Sequence, residues 1–514
     1  MLGFVVRRLA ATLVVLLVAS FIVYVLTAMS GDPLADLRAA GTRDALVKLA
    51  SLEERLNLDV PPALRYFLWL GGAAGCLIGR CDLGISIAQG EQPVIDALST
   101  AMGSTLQLVT LATILSIIVG ITIGMTTALR QYSGYDYTVT FFAFVFYSLP
   151  IFWVAVLLKE FGAIRFNQFL DDPVLSPLTT ILLSLALGFV IAGIVGGGLK
   201  TRARVFGITL LLSLVVLTLS SLTQWLKSPS LGIVGVVLLT AGLAFLITIL
   251  NRGLDDRKAV LTAVTVTAVV AVLWYPMQFL FFFINNPLGI LAALVILGVI
   301  GFVVGVFFGG DDKKEISRLG AIIGSASVLI LILDQMLLRF EEYKAAINLK
   351  AGFISTIGAV TPSIAKSDDM WLRMLDSFGH LILPTIALMI VSVAGYTRYS
   401  RASLLEVLNQ DYIRTARAKG LPERTVIMRH AFRNAMIPIA TIITFDIAGL
   451  IGGAIITERV FAWQGMGALF NKGLQAVDVN LVMGFFLVTG AIAVVFNIVA
   501  DVLYSALDPR IRVN

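Results

Sequence analysis

Three carboxylates stand inside or at the ends of long apolar runs: Asp334, Asp446 and Asp501. An ionised group in such a setting is costly and commonly functional, so a proton relay is one reading. Pairing with a local arginine or the backbone near an interface is the other for Asp334 and Asp501, while Asp446 lies deeper. Other chemistry is thinly supplied. The chain holds two histidines, His380 and His430, and neither an H-E-x-x-H nor a G-x-S-x-G pattern, so metal-assisted hydrolysis and acyl transfer lack their residues. No Gly-Lys dipeptide occurs, which removes the phosphate-cradling loop and, with it, ATP hydrolysis by this chain alone. Cys76 and Cys81, in GCLIGRCDLG, form a disulfide if their loop faces an oxidising compartment and are otherwise small apolar residues.

A basic segment offers a different kind of function. Between residues 398 and 433 stand Arg398, Arg401, Arg414, Arg417, Lys419, Arg424, Arg429 and Arg433 against Glu406, Asp411 and Glu423, a net of +5. Leu404, Leu405, Val407, Leu408, Tyr412 and Ile413 recur at helical spacing, which predicts an amphipathic helix. Gly420 then supplies a left-handed cap and Pro422 a fresh start, so that ERTVIMRHAFRNA forms a second short helix leading to Pro438. Three readings compete: an ordinary basic loop, a lipid-binding surface, and a docking elbow whose two short helices project into a cleft of a partner and carry its motion to the rest of the chain.

The elements that must position these residues are membrane helices. Of 514 residues 58% are hydrophobic and 14% charged, with mean hydropathy +0.94. Apolar runs of about 20 residues, rather than alternating ten-residue segments, predict an all-α integral membrane protein. Twelve such runs fall near 9–29, 104–129, 138–160, 176–198, 205–224, 231–250, 259–284, 287–309, 319–338, 380–399, 435–457 and 481–505. Arg7 and Arg8 place the N-terminus in the cytoplasm, and the turns that then also face inward carry LKTRAR, NRGLDDRK, DDKKEISR, the basic segment and DPRIRVN. Positive-inside orientation therefore accounts for the formal charge of +6, and nucleic acid is not an expected partner. The first run is too long for a cleaved leader and is read as a retained helix. Residues 30–103 and 339–379 lie outside, the former as an ordered cap on the membrane surface.

The segment QDYIRTARAKGLPERTVIMRHAFRNAMIP resembles the cytoplasmic EAA loop of type I ATP-binding-cassette (ABC) importer permeases, and closely resembles that of the B-type subunits of the dipeptide/oligopeptide/nickel family. RRLAATLVVLLVASFIVYVLTAMSGDP, CDLGISI, SLPIFWVAVLL, HLILPTIAL, ITERVFAWQGMG and DVLYSALDPRIRV match the same family, over roughly residues 1–165 and 345–514. Gly420 matches the motif's glycine and Ala416 its second alanine, whereas Arg414 and Thr415 stand at its Glu and first Ala, and Cys81 replaces a usual Gly.

The resemblance implies a type I transmembrane domain translocating di- and oligopeptides across a bacterial cytoplasmic membrane, with both termini cytoplasmic. Its implied partners are a second permease, two ABC ATPases that carry ATP and Mg, and an extracytoplasmic binding protein, with no cofactor on this chain. Leu405, Asp411, Tyr412, Arg414, Thr415, Ala416 and Gly420 would couple to an ATPase, and Glu458, Arg459, Phe461 and Trp463 would form an outer gate or meet the binding protein. Interface anchoring is the other account of Phe461 and Trp463. The implied organisation is 1–103 first helix and cap, 104–165 first core part, 166–340 an inserted bundle of about six spans that the family lacks, and 341–514 second core part, with the EAA loop at 401–438. A self-sufficient proton-coupled transporter using Asp334 and Asp446 is the rival from another class, and a membrane scaffold the second.

Overall fold

The computed structural model of the chain describes residues 2–283, 285–347 and 352–507. In chain order, α1 (Leu2–Met29) is followed by the short helices α2 (Ala35–Ala40), α3 (Arg43–Arg55) and α4 (Pro62–Ala74). A two-stranded hairpin, β1 (Ile85–Ser86) and β2 (Gln92–Pro93), pairs antiparallel with Ile85 opposite Pro93. Then come α5 (Val94–Leu129), α6 (Gly134–Ser148), α7 (Ile151–Leu157), a π-turn at Leu158–Ile164 and α8 (Arg165–Asp171). α9 (Pro177–Val195), α10 (Leu199–Leu222), α11 (Gly232–Asn251), α12 (Arg257–Phe283), α13 (Pro287–Gly309), α14 (Lys313–Leu338) and α15 (Phe340–Ala346) complete the middle. The last part holds α16 (Met370–Leu408), α17 (Asp411–Ala418), α18 (Glu423–Thr425), α19 (Phe432–Gly453), α20 (Ile455–Val460), α21 (Met466–Gln475) and α22 (Val479–Leu507).

Local chemistry sets many of these boundaries. Thr42, Ser133, Ser176 and Asn286 each accept a backbone N–H from three residues on and so cap α3, α6, α9 and α13. Pro62, Pro177 and Pro287 open their helices, where a missing N–H costs nothing. Among the described residues nine helices are long and apolar enough to cross a membrane, or ten with one bent pair. One of the nine, Pro287–Leu338, is two helices: Gly301 lies against Gly320, Gly305 against Ile316 and Gly324 against Leu297, a register that only an antiparallel hairpin gives. Each of the twelve apolar runs falls largely on helix, although α19, which carries most of the run at 435–457, is not among the helices that meet that test over the described residues. The run at 138–160 is not straight, because Pro150 breaks it and α6 meets the following helix at 101°.

The chain divides into two compact units. The first comprises Met1–Glu160, Thr356–Ala359 and Leu381–Asn514. Here α4 lies on α1 through Tyr66, Trp69 and Tyr24, with the Ser20 hydroxyl 2.8 Å from that of Tyr66. The cap is fastened at its far end too: Asp478, just before α22, accepts from the Ser86 hydroxyl at 2.6 Å and the Ala88 N–H at 3.1 Å. Cys76 and Cys81 are joined as a disulfide within it.

The second unit comprises Phe161–Ser355 and Val360–His380. Its core runs through α11, α12, α13 and α14, with Val236, Val266, Leu297 and Ile323 fully buried. Asp334 is 1% exposed and accepts from the Trp274 indole at 2.8 Å and from the Gly232 N–H, the first residue of α11, at 3.1 Å. Both oxygens are thus engaged in joining three helices, and the carboxylate acts as a joint. α9 and α10 pair through Phe189 and Phe206, and α10 has no buried residue, as expected of a helix bathed in lipid. His380 approaches the Thr361 hydroxyl at 3.1 Å, which itself donates to Asp376 at 2.6 Å. The side chain of Asp501 lies outside the described residues.

Candidate coupling elbow

α16 stops at Leu408, where the Asn409 side chain donates to the Leu405 carbonyl at 3.0 Å and competes with further helix. Gln410 is extended, at φ −73° and ψ 149°, and α17 begins anew at Asp411. The periodicity linking Leu404 to Ile413 therefore belongs to two helices, a correction to the single helix expected there. α17 closes in a Schellman turn: the Gly420 N–H donates to the Arg417 carbonyl at 2.9 Å and the Leu421 N–H to that of Ala416 at 3.4 Å. Gly420 sits at φ +74°, a conformation open to glycine and strained for other residues.

Across the turn the Arg417 guanidinium lies 2.6 Å from Glu423 and holds its carboxyl below the usual range. Both groups are exposed, so the pair fixes an angle more than it stabilises. From Glu423 the backbone remains helical through α18, a π-turn at Val426–Ala431 and α19. The separate second short helix expected from the sequence is corrected accordingly. ERTVIMRHAFRNA holds no Gly or Pro to end a helix, and Pro438 lies inside α19.

An eight-residue helix does not persist alone in water. α17 is held by Ile413 and Ala416, which pack with Ala128 of α5, Leu404 of α16, and Val426, Ala431 and Ala435 on the helix leading into and through α19. The Ser403 hydroxyl donates to the Ala435 carbonyl at 2.8 Å, and the Asn434 amide to the Tyr412 hydroxyl at 3.0 Å. Arg401 adds a two-pronged bond, Nε and Nη2 at 2.8 and 3.0 Å from the oxygens of Asp136 near the start of α6. Asp136 is 2% exposed, so this is an interior joint between α16 and α6. The result is a short lever seated on the ends of long helices, with α6 tied in alongside.

Of the residues singled out by sequence, Asp411, Tyr412, Arg414, Thr415 and Gly420 are exposed on the elbow, Leu405 is half-buried and Ala416 is buried. Arg414 and Thr415, which depart from the motif, thus lie on its outward surface. Asp136 and Asn434 were not anticipated. The only signal for Asp136 was its place three residues after the capping Ser133.

The segment ERVFAWQGMG, expected to form an outer gate or to meet the binding protein, lies elsewhere in the same unit. Glu458, Phe461 and Trp463 are buried, leaving Arg459 exposed. The Glu458 carboxylate accepts from the Thr105 hydroxyl at 2.9 Å and the Ala468 N–H at 2.8 Å, while the Trp463 indole donates to the Ser104 carbonyl at 3.0 Å. The Thr105 and Ser104 bonds pin the segment to α5, and the Ala468 bond ties it to α21. A side chain at Gly465 would overlap both Glu458 and Thr105, which accounts for the glycine. Burial pushes the Glu458 carboxyl above its ordinary value despite these donors. Among the described residues no cluster suited to a metal ion occurs.

Residues 316–513 match the family described as binding-protein-dependent transport system inner membrane component, and residues 1–109 match the corresponding N-terminal component. The oligopeptide transport system permease protein OppB of Mycobacterium tuberculosis is 34% identical over 239 residues, covering 45% of this chain and 72% of the relative. The oligopeptide permease protein AppB of Bacillus subtilis is 44% identical over 140 residues, 27% of this chain and 44% of the relative. The dipeptide permease protein DppB of Escherichia coli is 44% identical over 140 residues, 27% of this chain and 41% of the relative.

Proposed function

This chain belongs to the family of binding-protein-dependent transport system inner membrane components, as a multi-pass ABC importer permease with the type I transmembrane fold, and from that premise we propose that it conducts di- and oligopeptides across a bacterial cytoplasmic membrane. Both termini face the cytoplasm. ATPase subunits, which carry the ATP and Mg, seat on the exposed face of α17, a second permease completes the path, and a binding protein delivers peptide from outside. The unit built around α11–α14 is an accessory bundle attached to the permease core.

The observation that carries this reading is the elbow. Its outer face presents Asp411, Tyr412, Arg414 and Thr415 to solvent, and its inner face rests on α5 and α16, both long and apolar enough to cross a membrane, and on α19. A push on the outer face is therefore delivered to α5, α16 and α19 together, which suits a switch between two packings. For Asp334 the proton-relay alternative loses support, because its carboxylate is occupied by two N–H donors, which leaves that alternative resting on Asp446, half-buried on α19. The test is cysteine cross-linking in intact cells from Tyr412→Cys and Arg414→Cys. Capture of a nucleotide-hydrolysing subunit is expected, and its consistent absence overturns the reading.

A further inference from the structure

Arg398 and Arg401 lie one turn apart on α16, yet they are used differently. Arg401 is neutralised by Asp136. Arg398, half-buried, has no carboxylate within ion-pair distance among the described residues. Its guanidinium instead lies 4.7 Å from the ring centroids of both Phe144 and Tyr147.

These rings follow Asp136 on α6 by eight and eleven residues, about 12 and 16 Å along the helix. The guanidinium of Arg398 is thus drawn along α6 away from the end marked by Asp136, Arg401 and Arg130. A lipid-facing arginine does the opposite and stretches toward the charged interface. An unpaired cation held within the span of a transport protein marks a path for something of opposite charge. Aromatic contact engages the face of a guanidinium and leaves its N–H edge for the in-plane, two-point bond that a carboxylate makes. Arg398 is itself only half-buried, and Phe144 and Tyr147 are 54% and 51% exposed in this chain, so the cluster is reachable by an incoming group.

We propose that Arg398, held against Phe144 and Tyr147, receives a carboxylate of the passing peptide, its C-terminus or an acidic side chain, during translocation. This rests on the reading of the chain as a peptide permease. The site is a transient station: cation–π contact keeps Arg398 in place when empty, and the peptide leaves by exchanging the guanidinium for water.

The test uses the complete transporter in its native membrane. Uptake of a dipeptide is measured for wild type, R398Q and R398K, and R398C is treated with 2-aminoethyl methanethiosulfonate with and without peptide. Cys76 and Cys81, being joined, do not compete for the reagent. R398Q is expected to lower uptake kcat/KM roughly tenfold or more, the scale of a hydrogen bond to a charged group, with R398K between it and wild type. Peptide is expected to slow modification of R398C, and the attached ammonium to recover part of the uptake. Wild-type kinetics in R398Q, or modification indifferent to peptide, overturns the proposal. So does loss of the second permease from purified R398Q, which assigns Arg398 to a protein contact, or an effect that follows anionic lipid content, which assigns it to a headgroup. Absence of peptide uptake by wild type removes the transport reading itself, whereas wild-type uptake with an indifferent R398Q removes this inference alone.

Discussion

Replacing Gly420 by Asn, Ala and Val grades the strain at the elbow without altering what surrounds it. A Cβ built on Gly420 meets nothing within 4 Å, so no side chain has to move and the cost is purely one of backbone torsion at φ +74°. That cost is about 1–2 kcal/mol for an ordinary L-residue. Asn tolerates the left-handed region better than Ala, and β-branched Val worse. A change of that size alters a local equilibrium by a factor of roughly 5–30. The Schellman bonds from Gly420 and Leu421 are the ones at stake, so the effect falls on the end of α17 and on the angle toward Glu423. Peptide uptake should decline in the order Gly, Asn, Ala, Val, with equal amounts of each variant in the membrane and retention of the ATPase subunit on purification falling in step. Equal uptake by all four would refute the reasoning. So would disappearance of the variants from the membrane, since that would make Gly420 a requirement of folding rather than of coupling.

Other outcomes follow from joints described above. Asp136→Asn or Arg401→Gln breaks a part-buried ion pair and should destabilise the solubilised chain by about 1.5–3 kcal/mol; thermal unfolding of both and of the double variant checks this, the double being the milder. Burial raises the folded-state pKa of Glu458 above its ordinary 4.5. Its stabilising contribution is therefore full below about pH 4.5 and lost as pH rises through the folded value. The Tm of Glu458→Gln should accordingly gain on wild type between pH 5 and 8, and a difference that ignores pH contradicts the burial argument. Removing the disulfide with Cys76→Ser and Cys81→Ser releases a short loop and should cost on the order of 2 kcal/mol, seen as earlier proteolysis of the cap.

Long-range features escaped the sequence for a common reason. Apolar runs announce helices because lipid demands that every backbone group be bonded within its own segment, and Gly420 announced its turn because few other residues adopt that φ. Glu458 beside Arg459 has the look of an exposed pair, and nothing nearby reveals that one points inward. Its partner Thr105 is 353 residues away. The same holds for Arg401, whose neighbours suggested only a basic loop while Asp136 lay 265 residues upstream. The elbow's first helix was legible as apolar spacing, but its break at Asn409–Gln410 depended on one side-chain hydrogen bond, and the continuity from Glu423 into α19 depended on the absence of any breaker. Pro438 misled because a proline near a span suggests a boundary, whereas here it sits within the helix.

The bond between Ser86 and Asp478 joins residues 392 apart. Ribosomes add roughly 5–20 residues each second, so the hairpin emerges some 20–80 s before its anchor exists. Through that interval the newborn N-terminal region has no finished seat, because the residue that fastens its hairpin stands just before α22, made hundreds of residues later. Truncations that stop short of Asp478 should therefore injure the beginning of the protein, leaving its opening hundred residues open to proteases and quality control.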